Sequence, residues 1–262
     1  MLKLAPVLSC LLLIGCHTIS DSDDRHRPVE VTAQVASDYA AYAMLASNCY
    51  HKANRIKFPV ELLDWVRVDL AGNPTDSPTA TRTSGLAYDI FEKRNSEEVA
   101  FAFRGTDSKR DFLTGNFAIG PTRKQYTEAL EAFRQYRQKH PQKKITLTGH
   151  SLGGALALTI SVREGIDAVA FDASPRISDG LENRQEPAKR VMIYQAGEIL
   201  VLVRMIWQAK FTRIVPPENT FRANFNFPTA NKHRADLLAD GLLRLGATIN
   251  PDLARVRAAP PL

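Results

Sequence analysis

The sequence predicts an α/β protein with a mostly parallel central sheet and helices on both of its faces. Two observations carry this. Between residues 123 and 194, apolar runs too short for helices alternate with stretches of helical period, the pattern of a parallel sheet whose crossovers are helices. The strand-like runs before them, at 65–69, 85–92 and 99–103, are separated by short turn-forming segments, so they can pair as hairpins and make the first edge of the sheet antiparallel. A chain of 262 residues is long enough to bury a sizeable core without disulfides or a structural metal. With 14 Gly and 15 Pro and no repeating period, it is neither low-complexity, collagen-like nor a coiled coil.

Residues 1–15 read as a lipoprotein signal peptide. Lys3 gives a positive start, and residues 4–14 form an apolar run broken only by Pro6 and Ser9. That run has the size of a signal-peptide core and falls short of the roughly 20 apolar residues a spanning helix needs. It ends in Leu13-Ile14-Gly15-Cys16, which resembles the bacterial lipobox. The resemblance implies that Cys16 is lipidated and begins the mature protein, and His17 at the next position, in place of Asp, implies the outer membrane of a bacterial cell envelope. Residues 16–31 are expected to be a flexible tether, because 18–28 are polar and charged with almost no large apolar side chains. No later stretch is long and apolar enough to span; the most apolar, residues 199–207, is interrupted by Arg204.

These assignments account for all three cysteines. Cys10 leaves with the signal, Cys16 carries the lipid, and Cys49 remains as a small buried hydrophobe, so no internal disulfide is expected. The net charge of +6 is mild, and the basic residues are interleaved with acids and not with aromatics, which argues against nucleic acid. The histidines are far apart along the chain, and no H-E-x-x-H or cysteine pair occurs, so neither a metal nor another cofactor is indicated.

Residues 32–262 are expected to form one domain. An amphipathic helix over 32–50 presents Val35, Tyr39, Tyr42, Ala46 and Cys49 to a sheet, with Thr32 as its N-cap. After the three leading strands, a helix over 123–140 carries Tyr126, Leu130, Phe133 and Tyr136 and stops at Pro141. Then come a strand at 144–148, a small-residue helix at 152–163, strands at 168–171, 190–194 and 211–215, and an irregular stretch containing Pro216, Pro217 and Pro228. A helix over about 234–245 closes the domain.

The residues that carry chemistry are Thr148-Gly149-His150-Ser151-Leu152-Gly153-Gly154. They form a G-x-S-x-G pattern between a strand and a helix, the context of a nucleophile elbow in an α/β-hydrolase fold. A strained turn projects the serine hydroxyl above the sheet, small neighbours avoid a steric clash, and the helix N-terminus favours the oxyanion of acyl transfer. A serine needs a base to take its proton. In this fold the order is serine, acid, histidine, which leaves His233, in Asn231-Lys232-His233-Arg234, as the base. His150 leaves the turn in another direction from Ser151 and is read as packing or hydrogen bonding beneath the site. Two acids follow strand ends, Glu198 and Asp172, and either could orient the imidazole. The strand at 99–103 runs into Arg104-Gly105-Thr106, and the N–H groups of Thr106 and Leu152 are the natural oxyanion hole.

With Phe103-Arg104-Gly105-Thr106 and the 149–154 elbow in this order, the chain resembles the class 3 lipase family, the fungal-type α/β-hydrolases, over about residues 35–245. The resemblance implies a lipid ester substrate, an oxyanion donor at Thr106, a nucleophile at Ser151 and a second donor at Leu152. Ser174-Pro175-Arg176 looks like the family's S-P-R element, and Gly197-Glu198-Ile199-Leu200 looks like its catalytic-acid segment, with Glu in place of the usual Asp; this match places Glu198 ahead of Asp172, the alternative acid. Ser178 stands where the family carries Gly, and the four charges in residues 107–113 speak against a strongly apolar lid. The implied activity is a membrane-tethered carboxylic ester hydrolase of the lipase, phospholipase or lysophospholipase kind. The competing expectation is an inactive hydrolase-fold lipoprotein that binds or scaffolds.

Overall fold

The structure is a computed structural model that describes residues 29–51, 54–79, 82, 84–105, 122–175, 187–200, 219–229 and 231–260. Its centre is an eight-stranded sheet in the order β1-β8-β7-β6-β5-β4-β3-β2. The strands are β1 (Val29–Glu30), β2 (Trp65–Val68), β3 (Tyr88–Lys93), β4 (Glu98–Phe103), β5 (Lys144–His150), β6 (Ala168–Phe171), β7 (Arg190–Gln195) and β8 (Thr220–Phe225). Strands β4 to β8 run parallel, and β2 and β3 form the antiparallel edge that the leading hairpin pattern predicts.

Helices cover both faces, as the alternation requires. On one side, α2 (Thr122–Lys139) and α3 (Leu152–Glu164) pack Phe133, Tyr136, Leu156 and Leu158 against Phe101, Phe103 and Leu147 of the sheet. On the other, α1 (Ala33–Asn48), α4 (Ala235–Gly246) and α5 (Pro251–Ala258) bury Met44, Leu45, Leu238, Leu242 and Val256 with Phe91, Phe171 and Ile193. Strands buried on both faces read as the continuous apolar runs 168–171 and 99–103. The structure is an α/β-hydrolase fold.

Three elements differ from expectation. Val29–Glu30 pairs in parallel with β8 (Val29 with Ala223, Glu30 with Asn224), so a strand lies inside the stretch read as tether. β8 lies inside the stretch read as irregular, and α5 adds a helix after α4, capped by Asn250, whose side chain accepts the N–H groups of Asp252 and Leu253. The N-cap of α1 is Thr32 as expected: its hydroxyl accepts the Val35 N–H at 3.2 Å. The buried face of that helix departs from the 35/39/42/46/49 stripe: Ala36, Ala40, Ala43 and Met44 are buried where α1 packs against α4 and the sheet, Ala46 and Cys49 are buried as expected, and Val35, Tyr39 and Tyr42 are only half-buried. The signal peptide, Cys16, Thr106, Arg176, Ser178 and the strand expected at 211–215 lie outside the described residues. Among the described residues no helix is long and apolar enough to cross a membrane.

Candidate active site

The carboxyl ends of β4 to β8 lie side by side, and Gly105, Ser174 and His233, which follow three of them, reach Ser151. Such an edge is where open α/β sheets bind their ligands. Strand β5 ends at His150, and Ser151 follows with φ 58° and ψ −124°, a sparsely populated conformation that costs about 1–3 kcal/mol and persists only when its surroundings hold it. Three backbone bonds do so. Ser151 N–H donates to Phe171 O (3.0 Å), and Ser151 O accepts from Ser174 (3.0 Å) and Ala155 (3.2 Å).

The turn can be this tight because of two glycines. A Cβ on Gly149 would come 2.8 Å from Phe103 O and overlap Gly153, and one on Gly153 would come 2.8 Å from Phe103 C and overlap its carbonyl oxygen. The helix therefore starts in direct contact with β4. Leu152 is the first residue of α3, so its N–H has no acceptor within the helix and sits at the positive end of the helix dipole.

His233 stands in the loop between β8 and α4. Its Nε2 lies 3.0 Å from Ser151 Oγ, and its Nδ1 lies 2.7 Å from Glu198 Oε2. A carboxylate only accepts, so Nδ1 carries the proton and Nε2 is left to accept from the serine hydroxyl. Ser151 is 3% exposed, Glu198 3%, and the His233 side chain 16%, so the string is desolvated except at the imidazole. Glu198 follows the turn after β7, made by Gly197 at φ 72°, and its Oε2 also accepts the Leu200 N–H at 2.7 Å. Two further ties set the loops against each other. Lys232 Nζ donates to Ala196 O at 2.9 Å, joining the histidine loop to the turn before Glu198, and buried Asp236 accepts both the Arg234 guanidinium and the N–H groups of Arg55 and Ile56.

Asp172, the other candidate acid, is turned elsewhere. It follows β6 at φ 43°, its Oδ1 accepts the Gln195 N–H at 2.6 Å, and its Oδ2 lies 3.6 Å from Nε2 of His150. His150 is buried, as expected for a residue beneath the site, but its ring centroid is only 4.8 Å from that of His233. Distance along the chain did not reveal this approach. His150, Asp172 and His233 offer ligand atoms within 4.8 Å of one another, yet both nitrogens of His233 face Ser151 and Glu198, an arrangement laid out for hydrogen bonds and not for coordination. Sequence reasoning also passed over Tyr50, whose hydroxyl lies 3.1 Å from His150 Nδ1. As a residue at the end of an amphipathic helix it gave no signal beyond core packing.

Residues 41–215 match a phospholipase-like family described as the Tle-like phospholipase domain. The chain belongs to this family. The matched stretch of the Tle-like phospholipase domain contains Ser151 and Glu198 and ends before His233. An extracellular phospholipase A1 of Serratia liquefaciens is 31% identical over 125 residues, which are 47% of this chain and 39% of that protein, so the chain spans about two-fifths of that relative's length. Similar solved structures include a triacylglycerol lipase from Penicillium expansum (14% identity, TM-score 0.48, 79% of this chain and 84% of that one) and a Rhizomucor miehei lipase propeptide complex (15% identity, TM-score 0.49, 67% and 66%).

Proposed function

We propose that this Tle-like phospholipase domain is a serine hydrolase of the class 3 lipase type that cleaves acyl esters of phospholipids, lysophospholipids or glycerides. Ser151 attacks the ester carbonyl while His233 Nε2 takes its proton. Glu198 holds the imidazole in the accepting tautomer and stabilises the imidazolium that forms. The N–H groups of Leu152 and Thr106 receive the oxyanion. His233 then gives its proton to the departing alcohol, leaving an acyl-enzyme on Ser151. A water molecule, activated by the same imidazole, releases the fatty acid.

The observation that carries this reading is His233 bridging Ser151 Oγ at 3.0 Å and Glu198 Oε2 at 2.7 Å. A phospholipase A1 among its relatives favours a lipid ester. The test is hydrolysis of a panel of triglyceride, phospholipid, lysophospholipid and p-nitrophenyl esters by the wild type and Ser151→Ala. Equal rates in the two proteins would remove the hydrolase reading and leave the binding or scaffold role.

We further propose that Cys16 is acylated and tethers the domain to the outer membrane, which would bring the site to its substrate; several buried acyl chains, at about 0.8 kcal/mol per methylene, anchor durably. The support is the Leu13-Ile14-Gly15-Cys16 pattern followed by His17. Radiolabelled palmitate incorporated equally by the wild type and Cys16→Ser would rule the anchor out.

A further inference from the structure

Beneath the site a second string of polar contacts, hydrogen bonds and one longer carboxylate–imidazole approach, crosses the same strand ends. Gln195 N–H, at the end of β7, donates to Asp172 Oδ1 after β6. Asp172 Oδ2 lies 3.6 Å from His150 Nε2 at the end of β5, and His150 Nδ1 lies 3.1 Å from the hydroxyl of Tyr50. The Tyr50 hydroxyl accepts the N–H of Gly105, just past the end of β4, at 3.0 Å and donates toward His150 O at 3.2 Å. Tyr50 is 6% exposed and His150 3%, so none of these contacts is screened by bulk water.

The Gly105 end of this string abuts the nucleophile. A Cβ built on Gly105 would overlap the Tyr50 hydroxyl and come within 2.6 Å of His150 O and 3.2 Å of Ser151 Cβ. Gly105 is thus held against the serine by a buried phenol that itself contacts His150. A tyrosine hydroxyl has one proton and two acceptor sites. Gly105 N–H fills one acceptor site, and the proton goes to His150 Nδ1 or to His150 O, so the string can close for either imidazole tautomer.

We propose that Tyr50 is a positioning residue of the reaction, whose hydroxyl fixes the Gly105 strand end against Ser151 and thereby sets the distance between nucleophile and oxyanion donor. The inference rests on the hydrolase reading above. Misplacing a donor costs transition-state binding and leaves ground-state binding untouched, so the loss falls on kcat.

The test compares the full-length wild type, Tyr50→Phe, Cys49→Ala and Ser151→Ala on p-nitrophenyl butyrate, together with inhibition by a trifluoromethyl ketone, whose hemiketal places an oxyanion in the same donors. Tyr50→Phe is expected to lower kcat by about 10- to 100-fold with KM within twofold, and to weaken the ketone by a similar factor. Cys49→Ala loosens the same helix end without touching Gly105, and should keep kcat within twofold at a comparable fall in thermal midpoint. A Tyr50→Phe enzyme with kcat and ketone affinity within twofold of wild type overturns the proposal, as does an equal loss in Cys49→Ala. If Tyr50→Phe does not fold, His150→Leu takes its place: a kcat loss with parallel weakening of the ketone supports the string, and unchanged ketone affinity overturns it. Wild-type activity in Ser151→Ala would instead strike the underlying reading.

Discussion

Replacing Glu198 by Gln separates the two tasks assigned to this carboxylate. Its Oε2 accepts both His233 Nδ1–H and the Leu200 N–H, each at 2.7 Å. In Glu198→Gln the amide oxygen must occupy that position, because an NH2 group there would face the Leu200 donor. The imidazole tautomer is therefore kept and only the negative charge is lost. That charge stabilises the imidazolium by about 4 kcal/mol at ~4 Å with an effective dielectric of ~20. The difference between a charged and a neutral hydrogen bond sets a lower bound of about 1–1.5 kcal/mol. A range of about 1–4 kcal/mol converts to a fall in kcat of about 5- to 1000-fold. Glu198→Ala removes the orientation as well and is expected to lose about 10^4-fold, the scale seen when a triad loses its carboxylate. Steady-state kcat and KM on p-nitrophenyl butyrate, with Ser151→Ala as blank, measure both. A Gln variant as poor as the Ala variant would refute the argument from Leu200, one within threefold of wild type would refute the role of Glu198, and a larger loss in Asp172→Asn than in Glu198→Gln would reassign the acid.

Other outcomes follow from local packing. Gly153→Ala drives a Cβ into the Phe103 carbonyl, so it should cost more than about 3 kcal/mol, seen as insoluble protein or as a thermal midpoint lower by at least ~6 °C; a native midpoint would contradict the helix–strand contact. Thr32→Ala removes the α1 cap and should cost about 1 kcal/mol, or ~2–4 °C, with kcat unchanged. Burial holds the Cys49 thiol well above its ordinary value of 9.0. Above that pH the unfolded chain sheds a proton that the folded chain keeps, so stability falls as pH rises, by up to about 1.4 kcal/mol per pH unit. Cys49→Ala lacks this dependence, and its midpoint should decline less than that of wild type between pH 9 and about 10.5; parallel curves would count against it.

The sheet was legible wherever a strand is buried on both faces, since residues 168–171 and 191–194 are continuous apolar runs. β8 was not, because proline-rich flanks and Arg222 and Asn224 obscured it. Only Ala223 and Phe225 turn fully inward, and that two-residue period was the available signal. α5 announced itself through Asn250-Pro251-Asp252, a capping residue with proline at the first helical position, and was still missed. The elbow was fully legible, because its glycines are demanded by contacts between adjacent elements. Tyr50 was not, because a hydroxyl's partner across 100 residues leaves no local pattern.

The pairing of acids with histidines shows where sequence reasoning stops for a physical reason. Asp172 and Glu198 both follow strand ends, and both are buried carboxylates that must be satisfied. Asp172 comes directly after β6, so its short side chain stays at the strand end, where the neighbouring strand's Gln195 N–H captures one oxygen and His150 lies beside the other. Glu198 stands three residues beyond β7, past the Gly197 turn, and has one more methylene, so it reaches over the strand ends to His233. Reach along the chain decides which histidine each acid meets. Shortening Glu198 to Asp would withdraw the carboxylate from His233 by about one bond length, while lengthening Asp172 to Glu has no room in a site with 0% exposure. The same spacing that gives His233 its partner leaves His150 with Asp172 and Tyr50, and so couples the strand end at Gly105 to the serine it must face.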